Sequence, residues 1–262
     1  MEQQEQRVQV GLLAIVIAVV FAGCRKSAPT TGPNAAASVS AKVEKSVQES
    51  LEPPAEPAPV EEDRYSVKMR EYGLVDIQEL DSTIGIDLRY TTTNNFTGED
   101  LYDDLVRVFV TPMVGESLVA VQRELKARDP QLSLVIFDCA RPWSVQKRMW
   151  KVVAGTDKQR YVARPTNGGP HNYGIAVDLT LSRNGEEVDM GTDFDCFEET
   201  AHITDEDGLV RRGIISAEAK ENRRLLRSLM TKHGFTTYSC EWWHFTRVSM
   251  KTARRQFRLL DF

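Results

Sequence analysis

Two short segments of the sequence carry side chains that commonly bind metal ions. The first, PHNYGIAVD, places His171 and Asp178 on either side of Gly174, so the chain can turn and then run extended, bringing an imidazole and a carboxylate together. The second, CEWWHFT, separates Glu241 from His244 by two aromatic residues. His171, Asp178 and His244 offer two neutral imidazoles and one carboxylate, a set that suits Zn²⁺ and leaves a fourth position for water. The sequence therefore predicts one zinc ion per chain.

Two further side chains have the chemistry that peptide hydrolysis needs at such a site. Glu241 is the natural general base, because a carboxylate can take a proton from the attacking water and pass it to the departing amine. Arg141, in the segment DCARP, places a permanent positive charge after a buried strand, where it can stabilise the oxyanion of a tetrahedral carbonyl. We expect Asp138 to hold Arg141. The polar, turn-rich segment DLRYTTTNNFTG, residues 87–98, is typical of the rim of a site.

Taken singly, these residues also have structural interpretations. Most histidines in a folded domain have no catalytic role, and Arg141 could be an ordinary surface residue after a strand. His202 and His233 have no chemical neighbours in the sequence, and His233 precedes Gly234 at the predicted end of a helix, where a cation is favoured. Of Trp242 and Trp243, we expect one to pack inward and the other to line the cleft.

The elements that must position these residues combine helical and strand periodicity. Short buried strands with polar side chains at their ends, packed against helices, form a plausible floor for an active site. We therefore predict an α+β fold, a single domain with an antiparallel sheet packed with helices. The predicted helices cover residues 116–129, 143–154 and 217–233, and the predicted strands cover residues 132–138, 174–181 and, as a pair, 235–248.

Length and composition agree with one globular domain. The chain has 262 residues, a formal net charge of -5, and 41% hydrophobic and 27% charged residues. Basic residues form no long run that could follow a nucleic-acid backbone, so we predict no nucleic-acid partner. The 4 cysteines are too few for a disulfide scaffold, and none forms a CxxC pair.

The N-terminal part of the sequence has a different character. Residues 8–23 form an apolar run that ends in FAGC, which resembles a bacterial lipobox with Cys24 as the lipidated residue. An uncleaved membrane anchor and a simple secretion signal are the alternatives. Residues 25–63 are rich in Pro, Ala and Glu and contain no aromatic residue, which indicates a disordered tether. We predict a lipoprotein signal over residues 1–24, a tether over 25–63 and a catalytic domain over 64–262.

The two metal-binding segments together resemble the signature of the zinc D,D-peptidases, peptidase family M15. This family includes VanX-type D-alanyl-D-alanine dipeptidases and VanY-type carboxypeptidases, and its fold is shared with the hedgehog signalling domain. The segment at residues 87–98 is similar to the dipeptidase branch. The resemblance implies that His171, Asp178 and His244 bind zinc, that Glu241 is the base, and that Arg141 stabilises the tetrahedral intermediate. It further implies that Asp195 faces the free amino group of a dipeptide.

The chain departs from the family pattern at one position near the site. The family usually has a serine two residues before the first zinc histidine, where this chain has Gly169. Losing a hydroxyl that hydrogen-bonds the substrate weakens binding by roughly 1 kcal/mol unless water or another side chain fills the gap. Cys139, Cys196 and Cys240 remain after lipidation of Cys24, and a Cys139–Cys240 disulfide is a hypothesis for an oxidising compartment.

These features predict a membrane-anchored, extracytoplasmic zinc dipeptidase that hydrolyses D-alanyl-D-alanine or similar D,D-dipeptides in cell-wall turnover. Its partners would be the small dipeptide and, through the lipid anchor, the membrane. One alternative is a D,D-carboxypeptidase that trims longer cell-wall peptides. Another is a zinc-stabilised binding protein without turnover, which would have no need of Glu241 or Arg141.

Overall fold

The computed structural model describes residues 62–166 and 168–262. The predicted lipoprotein signal, with Cys24, lies outside this part of the chain, as does the predicted tether up to residue 61. The strands are β1 Val75–Asp76, β2 Gly85–Ile86, β3 Phe109–Val110, β4 Leu132–Asp138, β5 Ala176–Arg183, β6 Glu186–Glu187, β7 Thr236–Tyr238 and β8 Glu241–Thr246. The α-helices are α1 Arg64–Glu71, α2 Ile77–Leu80, α3 Pro112–Arg128, α4 Trp143–Val153, α5 Glu206–Arg211, α6 Ala217–Lys232 and α7 Met250–Gln256. Short 3₁₀ turns cover Arg89–Thr91, Asp157–Arg160, Pro170–Tyr173 and Glu199–Ala201.

A sheet of 6 strands runs through the domain in the order β2-β4-β5-β8-β7, with β6 paired to β5. All its pairs are antiparallel except β2 with β4, which is parallel. A separate pair, β1 with β3, is antiparallel. Helices pack on this sheet, with α3 against β4 and α6 against β5 and β8. The α+β fold predicted from the sequence is confirmed, with one parallel strand pair at the edge of an otherwise antiparallel sheet.

Local sequence explains where the elements begin and end. The predicted strand over residues 132–138 has the observed bounds, and helix α6 ends at Lys232, with His233 as its C-cap. Helix α3 begins at Pro112, four residues before the prediction, because proline is favoured in the first helical turn and Thr111 has the extended conformation of an N-cap. Strand β5 starts two residues later than predicted, because Gly174 still belongs to the preceding turn.

The core lies between the sheet and the helices that cover it. Leu134 and Ile136 on β4, Leu179 on β5, and Leu226 and Leu229 on α6 are 0% exposed. Burial of each such side chain contributes about 1.5–3 kcal/mol before the entropy of ordering is counted. This packing fixes β4, β5 and β8, the strands that carry Asp138, Asp178, Glu241 and His244.

The disulfide hypothesis for Cys139 and Cys240 is wrong, because Cys139, Cys196 and Cys240 are all free thiols. Cys139 directly follows β4, whereas Cys240 directly precedes β8. Strand β5 lies between those two strands, so positions on them are about 10 Å apart, beyond the Cα separation that a disulfide bridges.

Among the residues that the structure describes, no helix combines the length and apolar character needed to cross a membrane.

Candidate active site

Three adjacent strands bring polar side chains to one place in the sheet. Asp178 on β5 pairs directly with His244 on β8 and, on its other side, with Asp138 at the end of β4. Directly paired residues in an antiparallel sheet point to the same face, so the register itself sets Asp178 beside His244. Both side chains are enclosed, with 5% of the Asp178 side chain and 13% of the His244 side chain exposed.

His171 comes from the turn that precedes β5. The 3₁₀ turn Pro170–Tyr173 ends at Gly174, whose backbone is left-handed with φ of 64°. A Cβ atom there would lie 2.9 Å from a methyl carbon of Leu74, so both the conformation and the close approach require glycine. The turn leaves His171 buried above the start of β5, as the spacing in the sequence predicts.

The donor atoms of His171, Asp178 and His244 converge on one point. His171 Nε2 lies 3.2 Å from His244 Nδ1. Asp178 Oδ1 lies 2.9 Å from His244 Nδ1 and 3.4 Å from His171 Nε2. The three ligand atoms are thus within 4.8 Å of one another, which is the separation expected around a single metal ion.

Hydrogen bonds on the far side of each ring leave these nitrogens free to bind a metal. His171 Nδ1 donates to the carbonyl oxygen of Cys139 at 2.7 Å, and His244 Nε2 pairs with the hydroxyl of Thr246 at 3.0 Å. When the outer nitrogens carry the ring protons, His171 Nε2 and His244 Nδ1 present lone pairs that can coordinate a metal. Ring N–H groups bonded to a carbonyl or hydroxyl are the usual supporting contacts of metal-binding histidines. The donor set fits a divalent metal.

The electrostatics of the cluster favour the protonation states that metal binding needs. Burial lowers the pKa of His244, which keeps its ring neutral. Burial opposes ionisation of Asp178, yet His171 and His244 together hold the pKa of this carboxyl well below its usual range. Neutral imidazoles and an ionised carboxylate are the forms that coordinate a metal.

Glu241 begins β8 and is 7% exposed. Its Oε2 lies 4.0 Å from His244 Nδ1, so the carboxyl group borders the metal-ligand cluster without belonging to it. Burial raises the pKa of Glu241 well above its ordinary value, and Asp178 and Asp195 raise it further. A carboxyl group with a raised pKa beside a cation site is suited to accepting and returning a proton.

Arg141 is buried in the same region, with 6% exposure. Its Nε donates to Asp138 Oδ2 at 3.0 Å, and its Nη1 donates to Gln146 Oε1 at 2.9 Å. The prediction that Asp138 holds Arg141 is confirmed. Burial opposes the charged form, but Asp138 raises the pKa of Arg141 above its usual value, so the guanidinium stays protonated. Arg141 Nη2 also lies 4.0 Å from Asp178 Oδ2.

Asp195 faces the same cavity from the loop at residues 190–200. Tyr90 donates its hydroxyl to Asp195 Oδ1 at 2.8 Å, and the backbone N–H of Phe96 donates to Asp195 Oδ2 at 3.1 Å. Burial raises the pKa of Asp195 to about 7. The residue has φ of 61°, a left-handed conformation that non-glycine residues rarely adopt and that often occurs at functional sites.

These groups share one cavity of about 250 Å³, a size suited to a small ligand. Trp243 lines this cavity, whereas Trp242 packs away from it and donates its indole N–H to Thr192 Oγ1 at 2.8 Å, as expected for one inward and one lining tryptophan. Gly169 also lines the cavity. All six predicted catalytic, substrate-binding and metal-binding residues border it: His171, Asp178, His244, Glu241, Arg141 and Asp195.

Comparison with known proteins agrees with this arrangement. A family model described as D-ala-D-ala dipeptidase, of the M15 peptidases, matches residues 70–260. The chain belongs to this peptidase family. It is 34% identical over 174 residues to a D-alanyl-D-alanine dipeptidase of Escherichia coli (strain K12), covering 66% of this chain and 83% of that protein. It is also 34% identical over 197 residues to a D-alanyl-D-alanine dipeptidase of Enterococcus faecium, a match that covers 67% of this chain and 91% of that protein. A third such dipeptidase, of Streptomyces coelicolor, is 32% identical over 191 residues, which covers 65% of this chain and 89% of that protein.

Several residues of this M15 peptidase site were not singled out by sequence analysis. Thr246 follows His244 by two positions on the same strand, so strand periodicity alone places it on the same face and could have identified it. Tyr90 and Phe96 belong to the segment expected at the rim, and both line the cavity. Nothing in the sequence links Tyr161 to Phe197, because only tertiary packing brings these two rings together at the site.

Proposed function

We propose that this M15 peptidase hydrolyses D-alanyl-D-alanine or closely similar D,D-dipeptides, with one zinc ion held by His171, Asp178 and His244. The observation that carries the proposal is the convergence of these three donor groups next to Glu241, in a cavity that also contains Asp195. The relatives described above bear the name of the same activity. When bound, zinc would activate a water molecule and polarise the scissile carbonyl group.

The side chains around the ligands perform the remaining steps. Glu241 takes a proton from the attacking water and donates it to the nitrogen of the departing amino acid, so that the amide C–N bond breaks to give a carboxylate and an amine. Arg141, fixed by Asp138 and Gln146, stabilises the negative charge that develops on the carbonyl oxygen. Because both partners hold the guanidinium in place before substrate binds, little reorganisation accompanies the reaction.

Asp195 accounts for the choice of a short substrate. An ionised carboxylate, supported by Tyr90 and the Phe96 N–H, binds the free ammonium group of a dipeptide. A longer peptide has no ammonium group next to its last amide bond, so it would leave Asp195 enclosed without a partner. This distinction favours a dipeptidase over a carboxypeptidase.

We further propose that the chain is a lipoprotein that acts outside the cytoplasm, anchored at Cys24. The proposal rests on the apolar run at residues 8–23 and the FAGC sequence that ends it. An enzyme in that location meets cell-wall peptides released by turnover, which makes recycling or scavenging its role. Labelling with a radioactive fatty acid in a bacterial host tests the anchor, and a Cys24→Ala chain should remain unlabelled.

Release of D-alanine from D-alanyl-D-alanine tests the reaction. The purified full-length chain supplied with zinc should release D-alanine and leave L-alanyl-L-alanine intact. Glu241→Gln should lower kcat by about a thousandfold or more, because it removes the base while keeping the size of the side chain. Zinc content measured on the same samples should be the same in both proteins.

Other outcomes would contradict the proposal. Cleavage of a cell-wall pentapeptide without cleavage of the dipeptide would indicate a D,D-carboxypeptidase. Zinc binding without cleavage of either would indicate a binding protein. Unchanged activity in Glu241→Gln would remove Glu241 from the mechanism.

A further inference from the structure

A chain of three aromatic rings crosses one wall of the cavity. The ring of Phe96 lies 4.9 Å from that of Phe197, and Phe197 stacks on Tyr161 at 4.8 Å with an interplanar angle of 4°. At the Phe96 end, the backbone N–H binds the Asp195 carboxylate. At the Tyr161 end, the hydroxyl accepts a hydrogen bond of 3.1 Å from Arg160 Nη2. The aromatic wall therefore has an acidic group at one end and a basic group at the other.

Arg160 is held in place at the mouth of the cavity. Its guanidinium carbon lies 4.9 Å from the centre of the Tyr161 ring, within the distance of about 6 Å at which a cation and an aromatic ring attract each other. The Tyr161 hydroxyl also pairs with His202 Nε2 at 3.0 Å, which fixes the phenol that Arg160 contacts. Tyr238 donates its hydroxyl to the carbonyl oxygen of Arg160 at 3.4 Å, and the Tyr238 ring lies 6.1 Å from that of His244. The backbone of Arg160 is thus held by Tyr238, whose ring lies next to His244.

Among described residues that line the cavity, the arginines are Arg141 and Arg160. Arg141 is already paired with Asp138 and Gln146. Arg160 has no carboxylate within ion-pair distance in the described part of the chain, and its side chain is exposed at the cavity mouth. A dipeptide carries a carboxylate at the end opposite to its ammonium group, and Arg160 is the arginine with donors left to bind it.

The segment that follows Arg160 also explains why a side chain at position 169 cannot bind the carboxylate of the dipeptide. A Cβ atom on Gly169 would lie 2.6 Å from the Cβ of Ala163, so the segment that follows Arg160 occupies the space of a side chain. Ala163 is itself fixed, because its carbonyl oxygen accepts from Gln146 Nε2 at 2.7 Å. A donor for the substrate's carboxylate must therefore come from another part of the wall.

We propose that Arg160 binds the C-terminal carboxylate of the dipeptide and so determines specificity, with Asp195 and Arg160 at the two ends of the Phe96–Phe197–Tyr161 wall. This assignment rests on the proposed dipeptidase function. It gives the substrate a defined direction, with its ammonium group towards Asp195, its carboxylate towards Arg160 and its amide bond at the metal-ligand cluster between them. Guanidinium and carboxylate groups form paired hydrogen bonds, which makes arginine well suited to this recognition.

A substrate without the terminal charge tests the assignment. We would measure kcat and KM of the full-length zinc-loaded chain with D-alanyl-D-alanine and with D-alanyl-D-alaninamide. The wild-type chain should prefer the free acid by roughly tenfold in kcat/KM. Arg160→Met should lose about this factor with the free acid, mainly through a higher KM, and should lose much less with the amide, which has no charge to pair with the guanidinium. Arg160→Lys should recover part of the preference, because it restores the charge without the fork of donors.

Arg164→Met is the matched control. Arg164 is an exposed arginine of the same segment, but it lies over the Trp150 ring at 5.3 Å and does not line the cavity. This variant should keep the wild-type preference for the free acid. Equal effects of Arg160→Met on the acid and the amide, or no effect on either, would overturn the assignment.

A calorimetric measurement separates this assignment from the proposed function. If the wild-type chain releases no D-alanine from either compound, the dipeptidase function fails. Binding of D-alanyl-D-alanine would then be compared between the wild-type chain and Arg160→Met. Weaker binding by the variant would support the role of Arg160 in holding the carboxylate, and equal binding would overturn it.

Discussion

The metal-ligand cluster and the aromatic wall face the same cavity but are built in different ways. Asp178 and His244 project from paired positions of neighbouring strands, whose backbones are fixed by the ladder and by a fully buried core. The wall is assembled from three separate loops, at residues 87–98, 157–166 and 190–200, which meet through ring contacts and through the hydrogen bond from the Phe96 backbone N–H to Asp195. Asp178 and His244 are thus held by the rigid sheet, whereas the groups that select a substrate lie on loops, which can vary without disturbing the sheet.

This difference predicts that the largest losses follow changes in the strand-borne cluster. His244→Ala should abolish zinc binding and lower kcat/KM for D-alanyl-D-alanine by about a thousandfold or more, because it removes one of three protein ligands. His233→Ala is the control, since His233 caps α6 and contacts Glu124 at 2.9 Å, away from the cavity. Zinc content and steady-state rates check both. If His233→Ala lost as much zinc and activity as His244→Ala, the losses would reflect damage to the fold and not the removal of a zinc ligand.

A smaller effect should come from the group that supports a ligand. Thr246→Val keeps the shape of the side chain but removes the hydroxyl that pairs with His244 Nε2, so zinc affinity should fall by about tenfold to a hundredfold. Competition with a chelator of known zinc affinity measures this change. Thr231→Val, at an exposed position of α6 whose hydroxyl bonds to the carbonyl oxygens of Arg227 and Ser228 in its own helix, should leave the affinity unaltered. An unchanged affinity in Thr246→Val would show that the ring orientation does not depend on this hydroxyl.

The smallest predicted effect concerns the pH dependence of stability at the wall. The raised pKa of Asp195, about 7, means that the folded chain holds this proton over a pH range in which the unfolded chain has released it. The stabilising contribution of Asp195 is therefore complete below pH ~4 and is lost as the pH rises through about 7. Asp195 also faces the cavity, where solvent weakens the effect of burial. We therefore expect the free energy of unfolding to change by about 1 kcal/mol over this pH range.

Asp195→Asn should remove this dependence. The difference in free energy of unfolding between the variant and the wild-type chain should shift by about 1 kcal/mol in favour of the variant between pH ~4.5 and ~7.5. Urea denaturation of both proteins, with chelator present so that the metal site contributes equally, measures it. A difference that stays constant with pH would mean that Asp195 titrates at its ordinary value.

The sequence predicts the strand-borne cluster well for a physical reason. Spacing along a chain becomes geometry when the backbone is regular, so His171, Gly174 and Asp178 were enough to anticipate a turn followed by a strand with its ligands on one side. The register of β5 with β8, which supplies His244, was not contained in any local pattern. That His244 joins His171 and Asp178 is indicated by the chemistry of the ligand set and by the resemblance to a known family.

The wall could not be predicted in the same way. Phe197 and Tyr161 come together only because their loops pack, and neither loop has a periodicity that indicates a partner. Arg160 had no distinguishing neighbour in the sequence, so its position at the cavity mouth became visible only in three dimensions. The incorrect disulfide between Cys139 and Cys240 has the same origin, because strand order decides which motif residues can touch.

Zinc titration into the metal-stripped chain tests the central claim most directly. Bound zinc and D-alanine release from D-alanyl-D-alanine would be measured in the same samples. We predict that activity rises in proportion to bound zinc and stops rising at one zinc ion per chain, as expected if His171, Asp178 and His244 form a single catalytic site. Full activity before zinc is added, or no activity once each chain has bound one zinc ion, would contradict the claim that these three residues form a catalytic zinc site.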